Sequence, residues 1–266
     1  MDKILQSFFL KEKIEYFTSV DYEFCRQIRP DIIARRKITP RSVIIFLLPY
    51  YSGEAGNISL YAVSKDYHLA IKDVTDRLID VLKEKYPENS FFGFGDHSPI
   101  DERHAAAIGG LGIIGENRLL INEKYGSYVF IAEIITDLAP DLLGAGAPLP
   151  VRYCERCGAC IEACPTKALE NLGECLSAVT QKKGELTTAE AELMKREGTV
   201  WGCDKCQTAC PHNATPRHTP IEFFHQDRIE RIDLSALDSM SEKSFSERAY
   251  SWRGRKTIER NLEKLK

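Results

Sequence analysis

Nine cysteines occur in the sequence, and eight of them lie between Cys154 and Cys210. A first run, residues 154–165, has the spacing C-x2-C-x2-C-x3-C-P, and a second run, residues 203–211, has the spacing C-x2-C-x3-C-P. The first pattern is typical of two-cluster ferredoxins, in which three closely spaced thiolates bind one [4Fe-4S] cluster and the cysteine before proline binds the other. The spacing therefore predicts two clusters with crossed ligands.

The second run has one cysteine fewer than the first, and Cys175 can supply the missing ligand. The predicted ligands of the first cluster are Cys154, Cys157, Cys160 and Cys210. The predicted ligands of the second cluster are Cys164, Cys175, Cys203 and Cys206. The alternatives are zinc, whose sites usually combine two separated C-x2-C pairs, and disulfides, which require an oxidising compartment. The ninth cysteine, Cys25, is predicted to be a half-buried helical residue.

The composition is that of a globular protein, with 266 residues of which 43% are hydrophobic and 28% are charged. A formal net charge of −3 gives no global attraction to nucleic acid, but the last twenty residues carry seven Lys or Arg against three Glu. The apolar part of the N-terminus is too short and too charged for a signal peptide, and no apolar run approaches the length of a membrane span. These features predict a cytoplasmic protein with reduced thiols.

The elements before the cysteines predict a mixed α/β domain. Ser42–Leu48 is a continuous apolar run, as expected for a central strand covered on both faces. Lys65–Lys85 has apolar residues at helical spacing and predicts a long helix. Phe91–Phe94 predicts another strand, and Asp96 follows it at the position where α/β folds place ligands. Further strands are predicted near residues 15–17, 119–121 and 128–135.

Gly110, Gly112 and Gly115 match the pattern G-x-G-x-x-G. The dinucleotide-binding fingerprint requires a strand before the glycines and a helix after them. Here a helix that Asp101 can cap precedes the glycines, and the strand at residues 119–121 follows them. The pattern therefore favours a tight turn that lets backbone approach a large ligand over a nucleotide site.

An Ala/Gly/Pro-rich stretch at residues 139–150 predicts a linker. The predicted domains are an α/β domain at 1–140, a ferredoxin-like double [4Fe-4S] domain at 151–215 and a C-terminal helical segment at 216–266. Cys175 is predicted to begin a helix that continues to Gln181. Thr187 and Glu190 have the spacing of a capping box.

Two clusters in one small domain can pass single electrons from one to the other. The preceding α/β domain is long enough to hold the electron acceptor. Asp96, Glu102, Arg103 and His104 are concentrated in one segment, where they can supply a proton donor and an anion contact. The alternative for each of them is a solvated helix start.

Several stretches together resemble epoxyqueuosine reductases, the cobalamin and iron–sulfur enzymes of the last step in making the tRNA base queuosine. The matching stretches are Tyr61-Ala62 with Lys65–His68, Asp96–Arg103, Leu111–Asn117 with Leu120-Ile121, the cysteine pattern with Cys175-Leu-Ser and Trp201–Asp204, and Trp252–Arg255 with Arg260-Asn261. The resemblance covers most of the chain, and the combination is far more specific than any one stretch.

The resemblance implies an N-terminal base-off cobalamin domain and a ferredoxin-like domain that passes electrons to cobalt. The family's proton donor maps to Asp96, which would help a hydroxyl leave as water. It would have to hold its proton through a pKa raised by burial. The implied cofactor-binding residues are Tyr61, Asp66, His68, Asp96, Arg103, Gly112, Gly115, Asn117, Ser177 and Gly202.

The resemblance also implies a tRNA substrate and an external electron donor such as flavodoxin or ferredoxin, with neither DNA nor a membrane as partner. A candidate contact for tRNA phosphates is the basic C-terminal segment with Arg253, Arg255, Lys256 and Arg260.

The positive charge of Arg103 would lower the pKa of Asp96 if the two side chains touched. Arg103 is therefore predicted to face the ligand or another carboxylate.

The sequence departs from the family pattern at three places. The usual Asp-Thr-Gly-Pro is Asp-His-Ser-Pro at residues 96–99, and Leu60 replaces an arginine that commonly precedes Tyr-Ala. The C-terminal helical-repeat domain of full-length members has no counterpart, so the resemblance is to a short form.

Two other hypotheses stay open: a corrinoid-dependent reductase of another substrate, and a two-cluster electron-transfer protein without its own catalysis. Bound corrinoid would exclude the electron-transfer protein, and tRNA binding would separate the two reductases.

Overall fold

The computed structural model describes residues 2–170 and 175–266, and their contacts form two units. The first unit consists of Met1–Tyr50, His68–Arg156 and Thr219–Ile221. The second unit consists of Tyr51–Tyr67, Cys157–His218 and Glu222–Lys266. This division differs from the linear one predicted from composition, because segment 51–67 joins the second unit and the later boundary falls after Arg156 rather than in residues 139–150.

The first unit contains a four-stranded sheet with the order β1-β2-β6-β3 and a separate two-stranded hairpin, β4-β5. The strands are β1 (Phe17–Asp21), β2 (Ser42–Pro49), β3 (Phe91–Phe94), β4 (Ile113–Ile114), β5 (Leu120–Ile121) and β6 (Val129–Thr136). Mixed α and β structure is confirmed, and every strand pair is antiparallel. The rule that places ligands at strand ends concerns parallel sheets, so it gives no support to Asp96 here.

The centre of the sheet is the pair β2 and β6. All eight residues of β2 are buried, which confirms the prediction of a central strand covered on both faces. Strand β6 pairs with β2 on one side and β3 on the other, so Glu133 lies opposite Ile45 and Phe94. An acidic residue therefore occupies the middle of an otherwise apolar sheet.

Four helices belong largely to the first unit. They are α1 (Lys3–Lys11), α2 (Pro30–Arg36), α3 (Tyr67–Lys85) and α4 (Glu102–Ile108). Helix α3 is the predicted long helix, and Asp101 caps α4 by accepting from the His104 N–H at 3.3 Å. A strand was predicted near residues 15–17, but β1 begins at Phe17 and ends at Asp21. Cys25 is not helical: it is fully buried in extended backbone directly after a 3₁₀ turn.

The glycines of the β4-β5 hairpin are required by the packing of the chain on itself. A Cβ on Gly112 would lie 2.5 Å from the Ile121 carbonyl oxygen, and one on Gly115 would overlap the Asn117 side chain. Helix α4 precedes these glycines and strand β5 follows, so the context of a dinucleotide site is missing. The packing of the hairpin therefore requires both glycines, and their role toward a cofactor stays a prediction.

The second unit contains seven short helices within the described residues. They are α5 (Ala159–Glu162), α6 (Leu176–Thr180), α7 (Thr188–Glu197), α8 (Lys205–Thr208), α9 (Leu234–Ser239), α10 (Glu242–Ser246) and α11 (Arg255–Lys264). Cys175 is the N-cap of α6, and Thr187 and Glu190 form both hydrogen bonds of the capping box, as predicted. The core of the unit is built around Trp201 and Tyr250, which are almost fully buried. Across the described residues, no helix has the length and apolar character needed to cross a membrane.

Asn261 joins three parts of the second unit. Its amide donates to the carbonyl oxygens of Thr180 at 2.7 Å and Val200 at 2.8 Å, and its side chain is fully buried. The segments that it joins lie beside Cys175 and Cys203 in sequence, so Asn261 helps to place both of these cysteines.

We expect Asn261→Ala to lower the free energy of unfolding by about 2–4 kcal/mol, because two buried carbonyl groups lose their donor. Chemical denaturation followed by circular dichroism measures this change. Glu263→Ala, at an exposed position of the same helix, is the control and should alter stability by less than about 0.5 kcal/mol. Equal stability of the two variants would contradict the structural role of Asn261.

Candidate functional site

Asp96 lies at the centre of a strained three-residue turn. The His97 N–H donates to the Gly95 carbonyl oxygen at 2.7 Å, and Asp96 has a φ of +62°. A γ-turn with positive φ at its centre is rare and strained, and such residues concentrate at functional sites. The carboxylate Oδ2 of Asp96 lies 3.7 Å from Nε2 of His68. The acid of the turn and the imidazole of His68, on α3, therefore lie together at the surface of the first unit.

The Asp96 side chain is 54% exposed, so the chain of the first unit does not provide the poorly solvated surroundings that the sequence suggested. The partly buried carboxyl in this region belongs instead to Glu102, on the first turn of α4. Burial raises the pKa of Glu102 to about 7, and the negative charge of Asp96 contributes to the increase. Among the described residues, Glu102 Oε2 has no hydrogen-bond partner.

Glu133 on β6 is a second buried carboxyl that the sequence reasoning missed. It accepts a hydrogen bond from the Ser98 hydroxyl, and its side chain is 1% exposed. Burial raises its pKa to about 8 against the opposing effect of the Ser98 hydrogen bond, with smaller contributions from Glu102 and Asp101. The available signal was the single charged residue in the apolar stretch 129–136.

Arg103 contacts a carboxylate other than Asp96, which agrees with the prediction. Its Nε lies 3.4 Å from Asp101 Oδ1, and its Nη1 donates to the Arg118 carbonyl oxygen at 2.9 Å. The guanidinium thus ties the start of α4 to the β4-β5 hairpin, where Asn117 is also buried. These contacts support the segment that follows Asp96.

The predicted cofactor residues of the second unit have structural partners of their own. Tyr61 accepts from Trp201 Nε1 at 2.7 Å, and Gly202 has a φ of +72° with Ser59 where its Cβ would lie. The carboxylate of Asp204 accepts from Ser59 Oγ and from the Leu60 N–H. The beginning of the second cysteine run and the two residues before it are therefore held against residues 59–61.

Two other residues implied by the resemblance also form local contacts. Ser177 Oγ accepts from the Gln181 amide at 3.0 Å, one turn along α6. The Asp66 N–H donates to the Glu247 carbonyl oxygen at 2.8 Å. These bonds fix the backbone near both residues, and their role toward a cofactor stays a prediction.

The structure brings together the four cysteines assigned to the second cluster. Burial raises the pKa of Cys203 to about 11, with Cys175 and Cys164 among the charges that contribute. Burial likewise raises the pKa of Cys206 to about 12, with contributions from Cys203, Cys175 and other cysteines. Four thiols that disfavour each other's ionisation require a cation to become thiolates together, and iron supplies that charge.

Cys164 has hydrogen bonds that suit a cluster ligand. Although its burial acts in the opposite direction, hydrogen bonds from Thr166 and from the Ala168 N–H lower the pKa of this thiol. In the first unit, the Cys154 sulfur accepts from the Glu116 N–H at 3.2 Å. Hydrogen bonds to the sulfurs are one of the means by which proteins set cluster potentials.

Side chains that could bind a single metal ion do not cluster tightly in the described part of the chain. Within residues 2–170 and 175–266, no group of three His, Cys, Asp or Glu side chains converges on one ion position. Ligands of a cubane bind four different irons, so they lie farther apart than the ligands of one ion. Cys25 is apart from this chemistry, because its Sγ donates to the Asp21 carbonyl oxygen at 3.7 Å and burial raises its pKa to about 12.

Two of the four basic residues proposed to contact tRNA have internal roles. Arg255 donates to the Met240 carbonyl oxygen at 2.8 Å and to that of Leu237, at the end of α9. Arg260 donates to the Lys182 carbonyl oxygen at 2.7 Å. These two guanidinium groups therefore help to hold the second unit together, and contact of the C-terminal basic segment with tRNA stays a prediction.

Comparisons with known proteins match this chain in both regions described above. Residues 34–96 match the family model "Epoxyqueuosine reductase QueG, DUF1730", and residues 153–213 match "4Fe-4S double cluster binding domain". The double [4Fe-4S] domain predicted from the cysteine spacing is thereby confirmed. The individual ligand assignments stay predictions.

Curated epoxyqueuosine reductases are similar over much of the chain. The protein of Bacillus subtilis is 30% identical over 98% of this chain and 71% of its own length. That of Cyclobacterium marinum is 35% identical over 77% of this chain and 68% of its own, and that of Leadbetterella byssophila is 37% identical over 71% and 65%. In the last case the chain spans slightly less than two thirds of the relative.

A solved structure has the same fold. The epoxyqueuosine reductase of Streptococcus thermophilus superposes with a TM-score of 0.80 at 23% identity, over all of this chain and 81% of that one. At this identity the similarity concerns the fold alone.

We expect anaerobically purified protein to contain about eight iron and eight acid-labile sulfide per chain. Cys175→Ala should lose about half of each, because one ligand of one predicted cluster is removed. Cys25→Ala is the matched control and should leave iron and sulfide unchanged. Zinc without sulfide in the wild type, or full iron content in Cys175→Ala, would contradict the assignment.

Proposed function

The chain belongs to the epoxyqueuosine reductase family, and from this premise we propose that it reduces epoxyqueuosine to queuosine in tRNA. The observation that carries the proposal is the combination, in one chain, of a strained acid-bearing turn at Asp96 and a double [4Fe-4S] domain. Removal of the epoxide oxygen as water requires two electrons and two protons. The clusters can deliver electrons, and side chains of the first unit can deliver a proton.

We assign the cofactor as base-off cobalamin, as the family implies. When bound, it would supply the two-electron reduction of the epoxide carbon. In the first unit, His68 and the 54% exposed Asp96 can contact a bound ligand without breaking the core. Reconstituted protein should retain cobalamin through gel filtration, and failure to do so would overturn this assignment.

Asp96 is proposed as the proton donor to the departing oxygen. Its exposure within the first unit leaves room for the substrate, and a bound base and cofactor would remove water from the carboxyl and raise its pKa. The Bacillus subtilis relative has an aspartate-bearing catalytic loop that has been seen swung out of its active site. A turn under strain, such as that around Asp96, is suited to such movement.

A tRNA stem loop bound to an epoxyqueuosine reductase of the same fold makes RNA the expected partner. Since Arg255 and Arg260 have internal roles, we place the phosphate contacts at α2 and the Asp96 turn. Segment 26–37 carries five Lys or Arg against one Asp. A cleft of about 480 Å³ in the first unit is lined by Ile32, Arg35, Arg36, Gly93, Phe94, Gly95 and His97. Its basic wall adjoins the proposed proton donor.

We expect Asp96→Asn to keep both clusters and cobalamin but to lose turnover by about 10²–10⁴-fold, because the amide cannot deliver a proton. Conversion of epoxyqueuosine-containing tRNA is measured by mass spectrometry of the nucleosides. Asp80→Asn, which makes the same change at an exposed position of α3, is the matched control and should keep wild-type turnover. Near-normal turnover by Asp96→Asn would move the proton donor elsewhere, with His97 and His104 as the next candidates.

We expect the double variant Arg35→Ala, Arg36→Ala to bind an anticodon stem loop more weakly and to reduce the slope of log K against log salt by about 1–2, through the loss of phosphate contacts. Lys83→Ala is the matched control: Lys83 is exposed on α3, about 22 Å along the helix from His68. An unchanged slope would move the RNA contacts elsewhere. Loss of cobalamin with an unchanged slope would assign the cleft to the cofactor.

A further inference from the structure

Glu133 has no evident reason to be acidic. It lies between Ile45 and Phe94 in the middle of the sheet, where valine or isoleucine would be more stable. A buried carboxyl that lacks a cationic partner is costly, and perturbed groups of this kind concentrate at functional sites.

The groups that face Glu133 are acidic or neutral. Tyr22 and Cys25 approach from the 3₁₀ segment, and Asp101 and Glu102 approach from the start of α4. The adjacent strands contribute apolar residues, and the guanidinium of Arg103 acts on Glu102. In these surroundings burial raises the pKa of Glu133 to about 8, so its carboxyl holds a proton more readily than an exposed one.

Ser98 connects Glu133 to the turn that holds Asp96. Its hydroxyl donates to Glu133 Oε1 and accepts from the Ile100 N–H at 3.0 Å. Within the described part of the chain, Glu133 Oε2 has no hydrogen-bond partner. The loop is thus attached to the sheet only two residues after its most strained position. Without this attachment the strain at Asp96 could relax.

We propose that Glu133 is a positioning residue that acts through Ser98: its buried carboxyl accepts from the Ser98 hydroxyl and so locks loop 95–100 in the conformation that presents Asp96. This inference rests on the proposed function for its effect on turnover, whereas the lock itself can be measured without substrate. Glutamine is the appropriate mimic, because its carbonyl can accept from Ser98 and its NH₂ has nearly the size of the oxygen that it replaces.

The experiment compares Glu133→Gln, Glu133→Leu and Ser98→Ala with Ile135→Val, a packing control on the same strand. Hydrogen exchange of loop 95–100 is measured by mass spectrometry on cluster-loaded protein, and kcat and KM are measured with epoxyqueuosine-containing tRNA. We expect Glu133→Leu and Ser98→Ala to accelerate loop exchange at least about tenfold and to lower kcat by up to about 10²-fold with little change in KM, as for a misplaced catalytic group. Glu133→Gln and Ile135→Val should resemble wild type.

Should Glu133→Leu fail to fold, Ser98→Ala tests the same attachment with β6 intact. Wild-type exchange and kcat in Ser98→Ala would overturn the lock, and so would losses in Glu133→Gln as large as those in Glu133→Leu. If wild-type protein shows no turnover but the exchange results hold, the proposed function fails and the lock stands.

A pH series provides a further readout. The folded-state pKa of Glu133 is raised, so its contribution to stability is fully present below the ordinary value near 4.5 and is lost as pH rises through about 8. The Tm of wild type should therefore fall relative to that of Glu133→Gln between pH 5 and pH 9, because this position ionises only in wild type. Parallel Tm profiles of the two proteins would overturn the burial of the carboxyl on which the lock depends.

Discussion

The pairing of β2 with β6 is the constraint on which the first unit depends. Eight consecutive residue pairs join these strands, and β6 also carries β3 on its other edge. β3, which leads to Asp96, is therefore paired with β6, the strand that contains the buried Glu133. Because the two strands share a register, the distance between the strained turn and the buried acid is set by backbone hydrogen bonds rather than by flexible side chains.

Local patterns were sufficient to predict much of the fold. The apolar run at Ser42–Leu48, the Asp101 cap and the Thr187–Glu190 capping box each depend on residues close in sequence, and each is present. The antiparallel sheet order depends on pairs of strands far apart in sequence, such as Ser42 with Thr136, and the membership of segment 51–67 depends on contacts such as that of Asn57 with Ile232. No periodicity encodes such pairings, so they could not be predicted from one sequence.

The candidate site, like the fold, could be predicted only in part from the sequence. Cysteine spacing predicts a cluster domain because ligands must wrap a small object, and this holds whatever the tertiary fold. The roles of arginines do not follow from spacing: Arg255 and Arg260 belong to a basic stretch, yet backbone carbonyl groups use their donors. The sequence shows that a residue is charged, but only the fold shows whether its N–H donors already have hydrogen-bond partners.

Asp96, as the proposed proton donor, and Glu133 divide two properties that a single catalytic acid rarely combines. A proton donor must reach the substrate, which requires exposure, and Asp96 is 54% exposed. It must also be held in one geometry, which exposure alone cannot provide. Glu133 lies where water is excluded, so its hydrogen bond to Ser98 faces little competition from solvent and can hold the loop against the strain at Asp96. The buried acid thereby contributes the rigidity that the exposed acid lacks.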